Sequence, residues 1–277
     1  MQSFFKLTLA AFMLTACTGS VFASPEKDRT ALLVFFGERF VDVPLQEYVH
    51  GSMMLSDDAR MQYDSIMDFP PFQGDIDRGQ AIWETPFANG KTFASCFENG
   101  GHNVAGGFPY YDEETSRVVT FEMALNDCLR VNGETEFDYG ERPTMGVLTA
   151  YARTLSDGAL MDVRVDGAGA REKYEAGRAF YYRRIGQHNL ACASCHVSHA
   201  GHYFRDELLS PTVGQAVHFP VFRGGEFLYT LHMRYRRCME AVRAVPYQAG
   251  SEELNNLEYF HSYVNNGLPL KASIYRR

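Results

Sequence analysis

The chain has 277 residues, 45% of them hydrophobic and 22% charged, with a formal net charge of −8 at pH 7. This is ordinary globular composition, enough chain for one or two domains. The acidic balance argues against a nucleic-acid partner, because binding a phosphate backbone calls for excess Lys and Arg.

From the N-terminus, Met1 to Ala23 carries a basic Lys6, an apolar run from Leu7 to Leu14 and small residues near its end. This reads as a secretory signal peptide and predicts a periplasmic protein. Two processing points compete. Val21-Phe22-Ala23 before Ser24 fits a soluble product, the favoured reading. Leu14-Thr15-Ala16-Cys17 resembles a lipoprotein box, which would lipidate Cys17. No later run approaches the roughly 18 apolar residues of a membrane span. Residues 24–74 read as an N-terminal extension. Its Leu32-Leu33-Val34-Phe35-Phe36 run suits either a strand or a core helix.

Residues 75–155 and 172–277 read as two copies of one module, joined by a glycine-containing linker at 156–171. The first copy opens with a predicted helix, Ile76-Asp77-Arg78-Gly79-Gln80-Ala81-Ile82-Trp83, followed by Phe93-Ala94-Ser95-Cys96-Phe97. The second opens with Tyr174-Glu175-Ala176-Gly177-Arg178-Ala179-Phe180-Tyr181-Tyr182, followed by Cys192-Ala193-Ser194-Cys195-His196. Gly79 precedes Cys96 by 17 positions, and Gly177 precedes Cys195 by 18. Each copy closes on apolar residues at helical spacing, Met145 to Leu155 and Leu254 to Val264.

Cys192 to His196 spells C-x-x-C-H, the attachment signature of a c-type haem. Two thiols add to the haem vinyl groups, and the adjacent imidazole becomes the proximal ligand of the iron. A zinc site would need two further ligands at similar spacing, and a thioredoxin-like pair would need no His here. In the first copy Phe93 and Phe97 stand where the first thiol and the proximal His would be, so that copy is expected to hold no haem. The predicted architecture is mainly α, with two cytochrome c-like domains in tandem, the first without haem, plus the extension.

Six cysteines are present. Cys128 and Cys238 each fall shortly before the closing helix of their copy. That places Cys128 near the lost haem and near Cys96, and predicts a Cys96–Cys128 disulfide, with two free buried thiols as the other reading. A loop of that length would contribute on the order of 3 kcal/mol.

The distal ligand must follow His196. Met233, Met239, His199, His202, His218 and His232 qualify by residue type. Cys238 is the unusual candidate, since an exported free thiol is prone to oxidation unless it has a role. Arg234 lies one helical turn earlier, with Arg237 and Arg243 also close in sequence. Guanidinium groups beside sulfur suit a small oxyanion; the competing reading is a structural Cys in a basic helix.

Several spaced motifs carry a family resemblance from about Asp75 to the C-terminus. They are Ser95 to Gly101, Phe108-Pro109 with Asp112, Glu122 to Cys128, Gly186 to His196, Leu231-His232-Met233-Arg234, and Arg237-Cys238 with Val242-Arg243-Ala244. In these the chain resembles the SoxA subunit family of the periplasmic SoxAX cytochrome complex of thiosulfate oxidation, in its single-haem form. The resemblance implies one covalent haem c on Cys192 and Cys195, with His196 and Cys238 as axial ligands. It also implies Cys238 as a persulfide and the reacting sulfur, and Arg234 as the thiosulfate ligand. The implied activity, L-cysteine S-thiosulfotransferase, joins thiosulfate oxidatively to a cysteine of the SoxYZ carrier, with electrons passing to the haem of the partner SoxX. Arg236-Arg237 is more basic than the family pattern at that place. The competing functions are a plain electron-transfer cytochrome with a Met or His distal ligand, and a non-catalytic docking subunit. Intact mass of the mature chain should report one haem and no free thiol at Cys96 and Cys128. Two alkylatable thiols there in the oxidised protein would overturn the pairing.

Overall fold

The computed structural model describes residues 24–140, 144–225 and 227–276. The expected signal peptide and Cys17 lie outside the described residues. The extension folds as helix α1 (Pro25–Arg39), a 3-10 segment (Leu45–Leu55) and α2 (Asp57–Met67). The Leu32–Phe36 run is therefore helical. Leu32 and Phe36, four apart, bury one face, while Val34 and Phe35 stay exposed. The extension covers the C-terminal part of the chain: the Arg39 guanidinium donates to the Ser198 carbonyl at 2.9 Å, and Arg29 Nε to that of Asn266 at 3.0 Å.

Two successive halves then repeat one order of elements. The first runs α3 (Gln73–Glu84), the antiparallel pair β1 (Tyr110–Asp112) and β2 (Arg117–Val119), α4 (Phe121–Val131) and α5 (Thr144–Thr154). The second runs α6 (Gly167–Tyr182), a small hairpin of β3 (Tyr203–Phe204) and β4 (Glu207–Leu208), then β5 (Val221–Arg223), β6 (Phe227–Tyr229), α7 (Leu231–Ala241) and α8 (Glu252–Tyr263). Strand β7 (Ile274–Arg276) adds to β5 in parallel, pairing Arg223 with Arg276. Helix α6 starts at Gly167, so the last five positions of the expected linker are already helical. No helix among the described residues is long and apolar enough to cross a membrane.

The same local chemistry starts equivalent helices. Thr120 Oγ1 caps α4 by accepting the Met123 N–H, and Thr230 Oγ1 caps α7 by accepting the Met233 N–H. Such caps are worth roughly 1 kcal/mol each. In each half the first helix crosses the last at a glycine. A Cβ on Gly79 would sit 2.3 Å from the Val147 carbonyl oxygen, and one on Gly177 would sit 1.8 Å from that of Asn256. Only a hydrogen permits such backbone contact.

One continuous core joins the halves. Gly146 of α5 lies against the Leu228 carbonyl of β6. Buried Arg153 donates to the Phe219 carbonyl at 3.1 Å. A buried polar seam crosses the same boundary. The Tyr139 hydroxyl meets Thr120 Oγ1 at 2.7 Å and Glu122 Oε2 at 3.2 Å, and its ring stacks on His232 at 4.7 Å. His232 Nδ1 accepts the Gly250 N–H at 3.0 Å, which leaves the proton on Nε2, 3.2 Å from Glu258 Oε2. Burial, reinforced by the Glu258 carboxylate, pushes the Glu122 carboxyl up to about 7.

Gly177→Ala should destabilise by at least about 2 kcal/mol, since the obstacle is backbone. Gly37→Ala, with nothing within 4 Å of the new Cβ, should stabilise by about 0.5–1 kcal/mol. Denaturant midpoints check both, and a fully stable Gly177→Ala protein would contradict the close crossing. A carboxyl raised in the folded state binds its proton more tightly there than in the unfolded chain. It therefore makes stability fall as pH rises from the ordinary carboxylate range toward neutrality. Glu122→Gln should flatten that decline between about pH 5 and pH 7; an unchanged slope would remove Glu122 as its source.

Candidate functional site

The two halves fill equivalent space differently. In the first, Trp83 stacks on Phe93 at 5.5 Å and on Phe97 at 5.7 Å between ring centroids, and Phe121 closes on Phe97 at 5.8 Å. Cys96 and Cys128 are joined by a disulfide, with Cα atoms 5.8 Å apart. In the second half the matching positions are Tyr181, Cys192, His196 and Cys195, with Cys238 matching Cys128. Cys128 and Cys238 are each the eighth residue of a Thr-capped helix. Here no bond forms: Cys192, Cys195 and Cys238 are free thiols, each partly buried.

Between them lies a cavity of about 240 Å³. Cys192, Cys195, His196, Arg234 and Cys238 all line it, as do apolar Ile185, Leu190, Leu209 and Val221. The elements that position them are distinct. A single π-helical turn, Ser194–Ser198, presents Cys195 and His196, while α7 presents Arg234 and Cys238 one turn apart. Ser194 Oγ accepts the Ala191 N–H at 3.0 Å, and His196 O accepts the Thr212 N–H at 2.9 Å, which pins the turn at both ends.

His196 Nδ1 lies 2.8 Å from the Ser210 carbonyl oxygen. A carbonyl only accepts, so Nδ1 carries the proton and Nε2 keeps its lone pair. Gln215 Nε2 donates to Ser210 Oγ at 2.7 Å, on the same residue whose carbonyl accepts from the ring. Burial pulls the His196 imidazole down to about 4, the Ser210 carbonyl opposing and the Arg234 and Arg276 charges assisting. The ring is neutral at physiological pH, the state a metal ligand requires. Burial, with the field of Cys238, pushes the Cys192 thiol up to about 12. Burial also raises Cys195, with Arg234 pulling the other way. Neither is suited to act as a free thiolate nucleophile. A neutral imidazole with its lone pair free, two neighbouring thiols, an opposing sulfur and apolar walls form a donor set that fits a covalently held haem c.

Of the other distal candidates, Met239 and His218 also line the cavity, whereas His199, His202, His232 and Met233 do not. The His218 ring is engaged through Nδ1 with the Val49 carbonyl at 2.9 Å. Arg237 and Arg243 are not at the cavity. Arg237 pairs outward with Glu240 at 3.0 Å, and Arg243 has turned out of the helix at φ 57°. Proximity in sequence did not bring them to the sulfur, because α7 ends at Ala241 and its faces diverge every residue.

Three lining residues had no signal in the sequence: Arg223, Arg276 and Glu207. Glu207 pairs with Arg223 and, at 3.4 Å, with Arg234. Burial and the Arg234 charge pull Arg223 down to about 10; burial with the Arg234 and Arg223 charges pulls Arg276 down to about 9. Both remain cationic at neutral pH, so this wall of the cavity is strongly positive in an acidic protein. A broader, more open hollow of about 870 Å³ is lined by Arg117, Asp127, Arg130 and Glu136 among others. It offers mutually paired charges and neither sulfur nor imidazole.

Comparison with known proteins points one way. A family model described as the SoxA/TsdA cytochrome c domain matches residues 78–161, the half without C-x-x-C-H. The L-cysteine S-thiosulfotransferase subunit SoxA of Chlorobaculum tepidum is 40% identical over 91% of this chain and 88% of its own. That of Allochromatium vinosum is 39% identical over 90% of this chain and 89% of its own. The crystal structure of SoxXA from P. pantotrophus superposes with a TM-score of 0.69 at 28% identity, covering 77% of this chain and 84% of that one.

Proposed function

This chain belongs to the SoxA family of L-cysteine S-thiosulfotransferase subunits, and we propose that it joins thiosulfate oxidatively to a cysteine of a SoxYZ carrier. The observation that carries the reading is the convergence of Cys192, Cys195, His196, Arg234 and Cys238 on one cavity. Residues 75–155 are proposed as the cytochrome c-like domain without haem, and 172–277 as the haem-binding one. SoxX is the proposed partner subunit and the periplasm the proposed compartment, reached through a cleaved signal peptide.

Cys192 and Cys195 would hold one haem c through thioether bonds, and His196 and Cys238 would ligate its iron. When bound, the haem supplies an iron whose potential is set by its sulfur ligand. The chain's own residues do the rest. The Ser210 carbonyl accepts the Nδ1–H of His196, which leaves the Nε2 lone pair free to ligate. Arg234 offers a planar fork of N–H donors to the sulfonate oxygens of thiosulfate. Cys238, on the same face of α7 and partly exposed, carries the reacting sulfur. In the overall step the carrier's S–H bond is broken and a bond forms between that sulfur and the outer sulfur of thiosulfate. One proton and two electrons leave, the electrons toward the SoxX haem.

Cys238→Ala should abolish thiosulfate-dependent reduction of the partner cytochrome in the presence of carrier, with one haem still attached by mass. Arg234→Ala should lower kcat/KM by about 10- to 100-fold, the loss of one charge-assisted contact, with the haem spectrum nearly unchanged. A spectrum of His/Met character in the unmodified protein would overturn Cys238 as ligand and favour an electron-transfer cytochrome.

A further inference from the structure

The cavity lining contains more cation than carboxylate: Arg205, Arg223, Arg234 and Arg276 against Asp206 and Glu207. Arg223 ends β5, Arg276 ends the neighbouring β7 at the paired position, and Arg234 stands in the first turn of α7. All three line the cavity. Glu207 bridges two of them, one carboxylate oxygen to each: Oε1 to Arg223 and Oε2 to Arg234 at 3.4 Å. Among the described residues no carboxylate pairs with Arg276. A carboxylate spread over two guanidinium groups occupies the donors that an oxyanion would use.

Glu207 is also placed to leave. It opens β4 of a hairpin whose strands are two residues long, with Arg205 at φ 58° in the turn. Its side chain is 37% exposed, against 16% for Arg223. The arginines are anchored on paired strands and a capped helix, so the carboxylate is the mobile partner.

We propose that Arg223 and Arg276 complete an oxyanion pocket with Arg234, and that Glu207 is its internal placeholder, displaced when thiosulfate enters. This rests on the reading of Arg234 as the thiosulfate ligand. Burial and mutual repulsion disfavour the charged arginines. Between turnovers Glu207 supplies the counter-charge to Arg223 and Arg234. The same carboxylate sets a threshold: a monoanion that engages a single guanidinium displaces it poorly, whereas a dianion with several oxygens competes well.

The test uses the haem-loaded complex at fixed ionic strength, because exposed charges are screened by salt. Glu207→Gln should lower the KM for thiosulfate by about 2- to 5-fold, the worth of a partly exposed ion pair. It should tighten sulfate binding, measured by calorimetry without turnover, to the same degree. Glu207→Asp, with shorter reach, should move both in the same direction by less. Arg223→Gln should raise KM and weaken sulfate binding, and in that background Glu207→Gln should have a reduced effect. A KM that is unchanged or raised, with sulfate binding unchanged or weakened, in both Glu207 variants would overturn the placeholder, while Arg234→Ala still weakening both would leave the proposed function intact. If Arg234→Ala left thiosulfate turnover and sulfate binding unaltered, the underlying reading of the site would fall with it.

Discussion

The fold depends on two places where helix backbone meets helix backbone. Gly79 lies against the Val147 carbonyl, and Gly177 against that of Asn256. A side chain at either position would push the first helix of a half away from its last by roughly the width of a methyl group. Everything between those helices hangs on this crossing: the loop that follows, the C-x-x-C-H turn, and the capped helix that faces it. Holding the outer frame so tightly leaves a space of defined shape inside each half, and protein interiors do not tolerate such a space empty.

The two halves answer that constraint with different chemistry. In the first, an indole stacked on two phenyl rings occupies the space, and a disulfide ties the facing helix to the loop. In the second, the same positions carry an imidazole and three thiols around a cavity. Equivalent residues thus fill the space in one half and line a cavity in the other. Cys128 is covalently satisfied by Cys96, whereas Cys238, at the same place on its helix, faces Cys195 across a gap.

Charge is distributed against the average. The chain is acidic overall, yet the cavity gathers Arg223, Arg234 and Arg276 around one bridging carboxylate. Burial strengthens electrostatics on this wall because water cannot screen it fully. Net charge bears on solubility and encounter with partners; it is silent on the local field that a small anion would meet.

Much of this was legible in the sequence by itself. The haem motif, the repeat, the lost ligands at Phe93 and Phe97, and the basic turn before Cys238 are short-range patterns, written in residue types at fixed spacing. The two glycines were visible as repeat markers, though their role in backbone contact was not. The Leu32–Phe36 run stayed ambiguous because five apolar residues satisfy either period; burial of Leu32 and Phe36 on one face decided for helix. Arg237 and Arg243 were near Cys238 along the chain and proved remote from the cavity, since direction around a helix separates neighbours. Arg223, Arg276 and Glu207 carried no signal. They line one cavity because β7 pairs in parallel with β5 and Glu207 of the β3–β4 hairpin pairs with Arg223, and long-range strand pairing leaves no periodic trace in any one segment. Sequence determined which atoms could hold a haem and a sulfur. The tertiary structure alone decided which charges surround them, because that depends on chain segments brought together from far apart.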